Sequence, residues 1–149
     1  MLKNTLLVCV IYFSFSFLSP YAKQIPKDLI STQSGLKYIV LKHGTGVPVE
    51  DNKEVAFHWT GYLANDSSYG DSFGSSKGED PFYFVTGKKQ VIKGAEEGLA
   101  LMKVGDRFLF VMPAELAYGV KGMGKSIPPN STLVFDYEVM SVGEPKINI

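Results

Sequence analysis

Three stretches of this chain carry apolar residues at every second position, and that alternation constrains the fold more than any other feature of the sequence. In residues 54–63, Val55, Phe57, Trp59 and Leu63 fall on one side, and Ala56, His58, Thr60 and Tyr62 on the other. In residues 106–112, Phe108, Phe110 and Met112 oppose Leu109 and Val111. In residues 132–142, Leu133, Phe135, Tyr137 and Val139 oppose Asp136 and Glu138. Such a period places each set on one face of a β-strand. Two shorter runs join them: residues 36–43, before the Gly44-Thr45-Gly46 turn, and a strand opened by Pro81 in which Phe82 and Phe84 share a face. Only after Gly87 does the period lengthen, where Ile92, Ala95, Leu99 and Met102 follow a helical spacing that Val104-Gly105 ends. Strands that do not alternate with helices exclude Rossmann and barrel α/β folds. They predict an α+β domain, an antiparallel sheet packed against one short helix. Residues 64–80 are polar and rich in Gly and Ser, which predicts a long loop. Residues 23–34 have no sustained period and read as a lead-in segment.

Composition narrows the function. With 149 residues, 45% of them hydrophobic, the chain has the length of one domain. The formal net charge is zero, so no charge excess points to nucleic acid or anionic lipid as a partner. Cys9, the one cysteine, excludes an intrachain disulfide framework and a cysteine-built metal site. It also sits in the apolar run of residues 6–18, which follows Lys3 and precedes Ser19-Pro20-Tyr21-Ala22. A charged start, an apolar stretch and a small residue read as a signal peptide over residues 1–22, cleaved after Ala22. The run is shorter than the roughly 20 residues needed to cross a bilayer, which disfavours the alternative of an uncleaved anchor. The ending Lys146-Ile147-Asn148-Ile149 is not a retrieval signal for the endoplasmic reticulum, so the expected destination is periplasmic or secreted, with no membrane attachment after cleavage.

Gly119-Val120-Lys121-Gly122-Met123-Gly124-Lys125-Ser126 satisfies the phosphate-loop pattern G-x-x-x-x-G-K-S/T. That loop works only when a helix starts at its Lys-Ser, so that backbone N–H groups converge on the phosphates. Here Ile127-Pro128-Pro129 follows, and consecutive prolines remove donors and force an extended path. His43 and His58 are too few for a histidine-rich metal centre, and His58 reads as a hydrogen-bonded structural residue. The serines and aspartates of 66–72 lack a G-x-S-x-G elbow and read as loop solvation. What remains is a set of large apolar residues drawn from strands, loop ends and the helix start: Trp59, Phe73, Phe82, Val91, Ile92, Tyr118, Ile127 and Phe135. Such a set suits either a core or an apolar cleft.

The segments that carry these residues resemble a known family. They are Phe57-His58-Trp59-Thr60-Gly61-Tyr62-Leu63, Val91-Ile92-Lys93-Gly94-Ala95-Glu96-Glu97-Gly98-Leu99, Met102-Lys103-Val104-Gly105-Asp106-Arg107, Ala117-Tyr118-Gly119 and Ile127-Pro128-Pro129-Asn130-Ser131-Thr132-Leu133-Val134-Phe135-Asp136. In order and nearly in register they are similar to the FKBP-type peptidyl-prolyl cis-trans isomerases. The resemblance implies an isomerase domain over residues 35–143 with a short tail at 144–149, and a five- to six-stranded antiparallel sheet curled around one short helix. It also implies no cofactor or metal, proline-containing polypeptides as clients, macrolide inhibitors as ligands, and a monomer.

Carried over by position, Trp59, Phe73, Phe82 and Phe135 become the aromatic walls of a pocket, and Val91 and Ile92 the pair whose backbone receives the ligand. Ala95 takes the floor, where the family commonly has Trp. Tyr118 becomes the hydroxyl donor to a ligand carbonyl, and Ile127 a residue of the flap formed by the 119–126 loop. Three departures accompany the match. Ala95 replaces a large ring, and the Trp59 indole is expected to fill part of the lost volume. Ser126 stands where an apolar flap residue is usual. In the polar 64–80 segment, Phe73-Gly74-Ser75-Ser76 matches a family Phe-Asp-Ser-Ser with Gly74 for the aspartate and Asp71 as a substitute carboxylate; Tyr69-Gly70-Asp71-Ser72 is the competing match.

Overall fold

The computed structural model describes residues 22–146. The signal-peptide reading of residues 1–22, apart from Ala22, and the last three residues of the predicted tail lie outside the described residues.

The chain forms an antiparallel sheet around one short helix. Its strands are β1 (Lys23–Gln24), β2 (Ile30–Ser31), β3 (Lys37–Lys42), β4 (Glu54–Asn65), β5 (Ser68–Ser75), β6 (Phe82–Val85), β7 (Arg107–Met112) and β8 (Leu133–Gly143). The helix, α1 (Lys93–Ala100), lies between β6 and β7, and a single 3-10 turn covers Ala114–Leu116. The strand order is β1-β5-β4-β8-β7-β3-β2, with β6 also pairing β4. One edge of β4 is therefore shared: its first part, Glu54 to Phe57, pairs with β6, and its last part, Thr60 to Asn65, with β5.

Two expectations change here. Residues 64–80 are not a long loop: β4 runs to Asn65, a two-residue turn at Asp66-Ser67 follows, and β5 returns along β4. Asp66 takes a φ of 49° in that turn, a left-handed conformation that Asp tolerates better than most residues. The lead-in also contributes β1 and β2, two residues each, so the sheet has eight strands where five to six are expected.

The alternation of the long strands sorts two apolar layers. On the side facing α1, Val55, Phe57, Phe108, Phe110, Met112, Leu133, Phe135, Tyr137 and Val139 pack with Ala95, Leu99 and Met102. On the other side Tyr69, Leu109 and Val134 gather Ile25, Ile39, Tyr62, Ala64 and Val111. The helix is shorter than the spacing suggests, because the Leu101 and Met102 N–H groups already turn back to Gly98 and Leu99. It rests directly on β7: a Cβ at Gly98 would lie 2.8 Å from Phe110 Cε1, so only glycine allows this approach.

Asp136 is the least expected residue in the sheet interior. It is 6% exposed, and Arg107 holds it through two hydrogen bonds, Nε to Oδ1 at 2.9 Å and Nη2 to Oδ2 at 2.6 Å, with Lys77 Nζ 3.6 Å away. Burial pushes its carboxyl up, but the Arg107 hydrogen bond and the charges of Lys77 and Arg107 outweigh that and hold it below the usual carboxylate range. A depressed carboxylate stabilises the fold above its unfolded value of about 3.9 and loses that contribution as pH falls through its lower folded value. Replacing Arg107 by Leu is expected to lower stability at pH 7 by about 2 kcal/mol, less than for a fully enclosed pair because solvent screens the half-exposed guanidinium. The gap between parent and variant in urea unfolding should shrink below about pH 4; a gap independent of pH would reject this account.

Candidate functional site

On the helix side of the sheet the core stays open, leaving a cavity of about 480 Å³. Period two supplies its back wall. Phe57 and Trp59 project from β4, Phe135 and Tyr137 from the neighbouring β8, with Trp59 opposite Tyr137 and Gly61 opposite Phe135. Edge-to-face contacts link these rings. Phe57 meets Phe82 at 5.7 Å and Tyr137 at 5.1 Å; Phe135 meets Trp59 at 6.2 Å and Phe73 at 5.8 Å. Each such arrangement sets the positive edge of one ring on the negative face of the next.

Phe73 reaches the cavity through irregular register. Tyr69 pairs with Ala64 and Ser72 with Tyr62, so β5 has one residue more than β4 between these pairs; a second extra residue falls at Phe73, before Gly74 pairs with Gly61. The first bulge reverses the alternation. Tyr69 is left in the apolar layer on the far side of the sheet, and Phe73 faces the cavity. Of the two competing segments, Phe73 thus lines the cavity and Tyr69 does not. Gly61 makes room for it: a Cβ there would lie 2.4 Å from Phe73 Cζ and 2.8 Å from Phe135 Cε1.

The third side is the segment leading into α1, where Lys89, Gln90, Val91 and Ile92 line the cavity. Its path is fixed from both ends. The Glu96 carboxylate, in the first helical turn, accepts from the Gly87 and Lys89 N–H groups, and the Gln90 side chain accepts from Val85 N–H. Ile92 is the N-cap, and its carbonyl accepts from the Ala95 and Glu96 N–H groups. Its own N–H donates to no group among the described residues, as expected for an N-cap whose donor is left for a ligand. Tyr118 follows the 3-10 turn, and burial pushes its hydroxyl up, so it remains a protonated donor at neutral pH. The loop 119–126 closes the mouth. Met123 and Ile127 exchange backbone hydrogen bonds of 2.8 and 3.1 Å, and no helix begins at Lys125-Ser126.

Of the residues expected at the site, Trp59, Phe73, Phe82, Val91, Ile92, Ala95, Tyr118 and Phe135 line this one cavity. Three do not. Ile127 is 1% exposed and belongs to the core, so the loop meets the cavity through Met123 and Ser126 instead. Asp71 is exposed on β5, where the first bulge turns it away from the cavity. Gly74 touches the site only by leaving space: a Cβ there would lie 2.9 Å from Trp59 Cη2. Trp59 lays the outer edge of its indole into that space. With Ala95, the cavity is also lined by Phe57 and Tyr137. Those two, with Lys89, Gln90 and Met123, were missed from the sequence; Phe57 and Tyr137 share a strand face with Trp59 and Phe135, which is the signal that could have found them.

The lining is apolar apart from Tyr118, Tyr137, Ser126, Gln90 and Lys89, which offer donors. His58 lies outside it, with Nδ1 3.1 Å from the Ser76 carbonyl. Among the described residues no three His, Cys, Asp or Glu side chains are grouped to hold a metal ion. An apolar cavity with hydrogen-bond donors at its rim can desolvate and orient a small ring attached to a peptide backbone.

Residues 46–140 match the family model described as FKBP-type peptidyl-prolyl cis-trans isomerase. The chain is 45% identical over 116 residues to a protein of Haemophilus influenzae named probable FKBP-type peptidyl-prolyl cis-trans isomerase, covering 78% of this chain and 46% of that one. It is 36% identical over 110 residues to FK506-binding protein 1 of Gibberella zeae, covering 73% of this chain and 99% of the relative. Among solved structures it is similar to FkpA from Escherichia coli, with a TM-score of 0.69 and 39% identity over 80% of this chain and 53% of that one. It is also similar to AtFKBP13, with a TM-score of 0.70 and 31% identity over 76% and 98%. The first three curated relatives are longer proteins, of which the chain spans between 32% and 46%.

Proposed function

Because the chain belongs to the FKBP-type peptidyl-prolyl cis-trans isomerase family, we propose that it accelerates cis-trans isomerisation of X–Pro bonds in exported polypeptides by holding the twisted amide in the aromatic cavity. The observation that carries this reading is the cavity itself: a wall of aromatic rings with few hydrogen-bond donors among them.

An X–Pro amide interconverts over a barrier of about 18–20 kcal/mol, because resonance is lost in the twisted state, and takes tens to hundreds of seconds unaided. A catalyst lowers that barrier by binding the twisted form better than either planar form. The twisted carbonyl is less charge-separated than the planar one, so it loses less when water is excluded. Walls from Trp59, Phe73, Phe82 and Phe135 grip the proline ring, with Val91 beside it and Ala95 beneath. The Ile92 N–H and the Tyr118 hydroxyl hold the flanking carbonyls. No group in this set changes charge near neutrality. Thus kcat/KM on a short Xaa-Pro peptide is expected to vary less than about twofold between pH 6 and 8; a bell-shaped profile centred near pH 7 would reject the mechanism.

A second reading, an exported binding module or chaperone with weak isomerase activity, draws on Ala95 in place of a large floor ring. It also draws on the apolar residues exposed around the mouth, with Phe82 at 44%, Met123 at 43% and Val120 at 76%. The isomerisation assay with Tyr118→Phe and Phe135→Ala decides between them. Activity in the parent that falls in both variants supports the enzyme. An inactive parent whose variants bind an unfolded client as well as it does supports the module.

Residues 1–22 as a cleaved leader, 35–143 as the isomerase domain and 144–149 as a tail complete the proposal, with a monomeric product delivered to the periplasm or secreted. Among the described residues no helix is long and apolar enough to cross a membrane. Proline-containing polypeptides are the clients. Macrolides of the kind named in FK506-binding relatives are the candidate inhibitors.

A further inference from the structure

Tyr137 is one of the cavity residues that the family resemblance does not account for. Its ring is 3% exposed and packs against Phe57, Phe110 and Phe135 at 5.1, 5.4 and 5.3 Å. The ring alone would be ordinary core. The hydroxyl is not, for it is hydrogen-bonded to no described residue, while every side-chain nitrogen or oxygen sealed from solvent among the described residues has a partner. An oxygen without a partner among the described residues, yet not sealed, opens on the cavity that Tyr137 lines together with Ala95. Burial, and then the neighbouring Tyr118 hydroxyl, push it far up, so it is a neutral donor at any working pH.

What would meet it follows from how a prolyl peptide enters. With the flanking carbonyls held at the rim by Ile92 N–H and Tyr118, the ring carbon farthest from the backbone, Cγ, leads towards Ala95 and Tyr137. A large ring at position 95 would present a flat apolar plate to that carbon. Alanine instead leaves space in a cavity that Tyr137 also lines. An unsubstituted ring has nothing to offer the Tyr137 hydroxyl. A ring with a hydrogen-bonding group on Cγ fills that space and supplies the missing partner.

Resting on the isomerase reading above, we propose that Tyr137 is a specificity-determining contact at the cavity floor, favouring proline rings with a hydrogen-bonding substituent at Cγ, of which 4-hydroxyproline is the simplest. The selectivity is modest, because a water molecule can replace the substituent when plain proline is bound.

The test uses the chain from residue 23 onward with matched peptides containing proline, (4R)-hydroxyproline or (4S)-hydroxyproline, each catalysed rate taken against its own uncatalysed rate. Binding of the same peptides is read separately from the fluorescence of Trp59, the one tryptophan of the chain, which lies in the wall. One hydroxylated epimer is expected to exceed proline by about three- to tenfold in affinity and in kcat/KM, as one neutral hydrogen bond allows. In Tyr137→Phe that ratio should fall to about one. Ala95→Leu, which fills the floor from the helix side, should bring the ratio to one or below, and carries the test if Tyr137→Phe does not fold. Parent affinity equal to or weaker than that for proline with both epimers overturns the inference, as does an undiminished ratio in the variants. Selective binding without any isomerisation would instead overturn the enzymatic reading and leave the floor contact standing.

Discussion

Gly61→Ala is expected to lower kcat/KM for X–Pro isomerisation about tenfold or more while the domain remains folded. The added methyl would sit 2.4 Å from Phe73 Cζ and 2.8 Å from Phe135 Cε1, and no contact that close survives. Something has to move, and the choice is unequal. Phe135 is 4% exposed and wedged among Trp59, Phe73 and Tyr137, so it has nowhere to go. Phe73 sits on a bulge and is only half-buried, and the open volume beside it is the cavity. The ring therefore leaves the wall and enters the space the proline needs. The effect on stability is small, about 1–2 kcal/mol, since one flexible ring yields. The effect on rate is large because displacement of a wall by about 1 Å destroys the fit to the twisted amide. Assay of the purified variant beside a urea unfolding curve checks both halves. Full activity would mean that Phe73 is not a wall of the working site, and a collapse of stability with proportionate loss of activity would mean that the ring is structural.

Phe110→Ala should have the largest effect on stability, about 3–5 kcal/mol, against a total of roughly 5–15 kcal/mol for a domain of this kind. Its ring is fully buried, contacts Tyr38, Phe108 and Tyr137 at 6.1, 5.9 and 5.4 Å, and is the surface on which Gly98 of α1 lies. Truncation leaves a void that sheet and helix cannot close together, because β7 is fixed by its pairing with β3 and β8 on either side. The helix carries Ala95, and Tyr137 has lost a neighbour, so the cavity floor loosens as well. A urea midpoint within error of the parent would reject this view of the core. Phe82→Ala, at the exposed rim, makes the contrast and should cost about 1 kcal/mol or less.

The long strands were legible because each buries one face and leaves alternation in the sequence; β4, β7 and β8 fall within a residue or two of where the period puts them. β5 was not, and the reason is physical. It is mostly polar, contains two glycines, and its bulges place Tyr69 and Phe73, four residues apart, on opposite faces of the sheet. A reading by period assumes that four residues apart means the same face. β1 and β2, two residues each, are too short to carry any period. At the site, most lining residues can be named from the motifs, whereas Phe57 and Tyr137 cannot. Ala95 reads in the sequence as a loss of volume and Trp59 as its replacement, because sequence distance does not reveal that Trp59 has an empty neighbour at Gly74 or that Tyr137 lines the same cavity. Next to the bridge between Met123 and Ile127, Ser126 lines the cavity and Ile127 lies in the core, a difference that sequence position alone does not show.

The paired run of β4 and β8, from Glu54 with Gly143 to Leu63 with Leu133, has a consequence in time. Its amides are hydrogen-bonded in the centre of the sheet, so they exchange with solvent only when the whole domain opens. Trp59, Phe135 and Tyr137 all stand on that ladder. The loop that closes the mouth is held by a handful of backbone bonds, carries Val120 almost fully in solvent, and opens locally at far lower cost. Walls and mouth thus open on separate clocks, the mouth on the faster one.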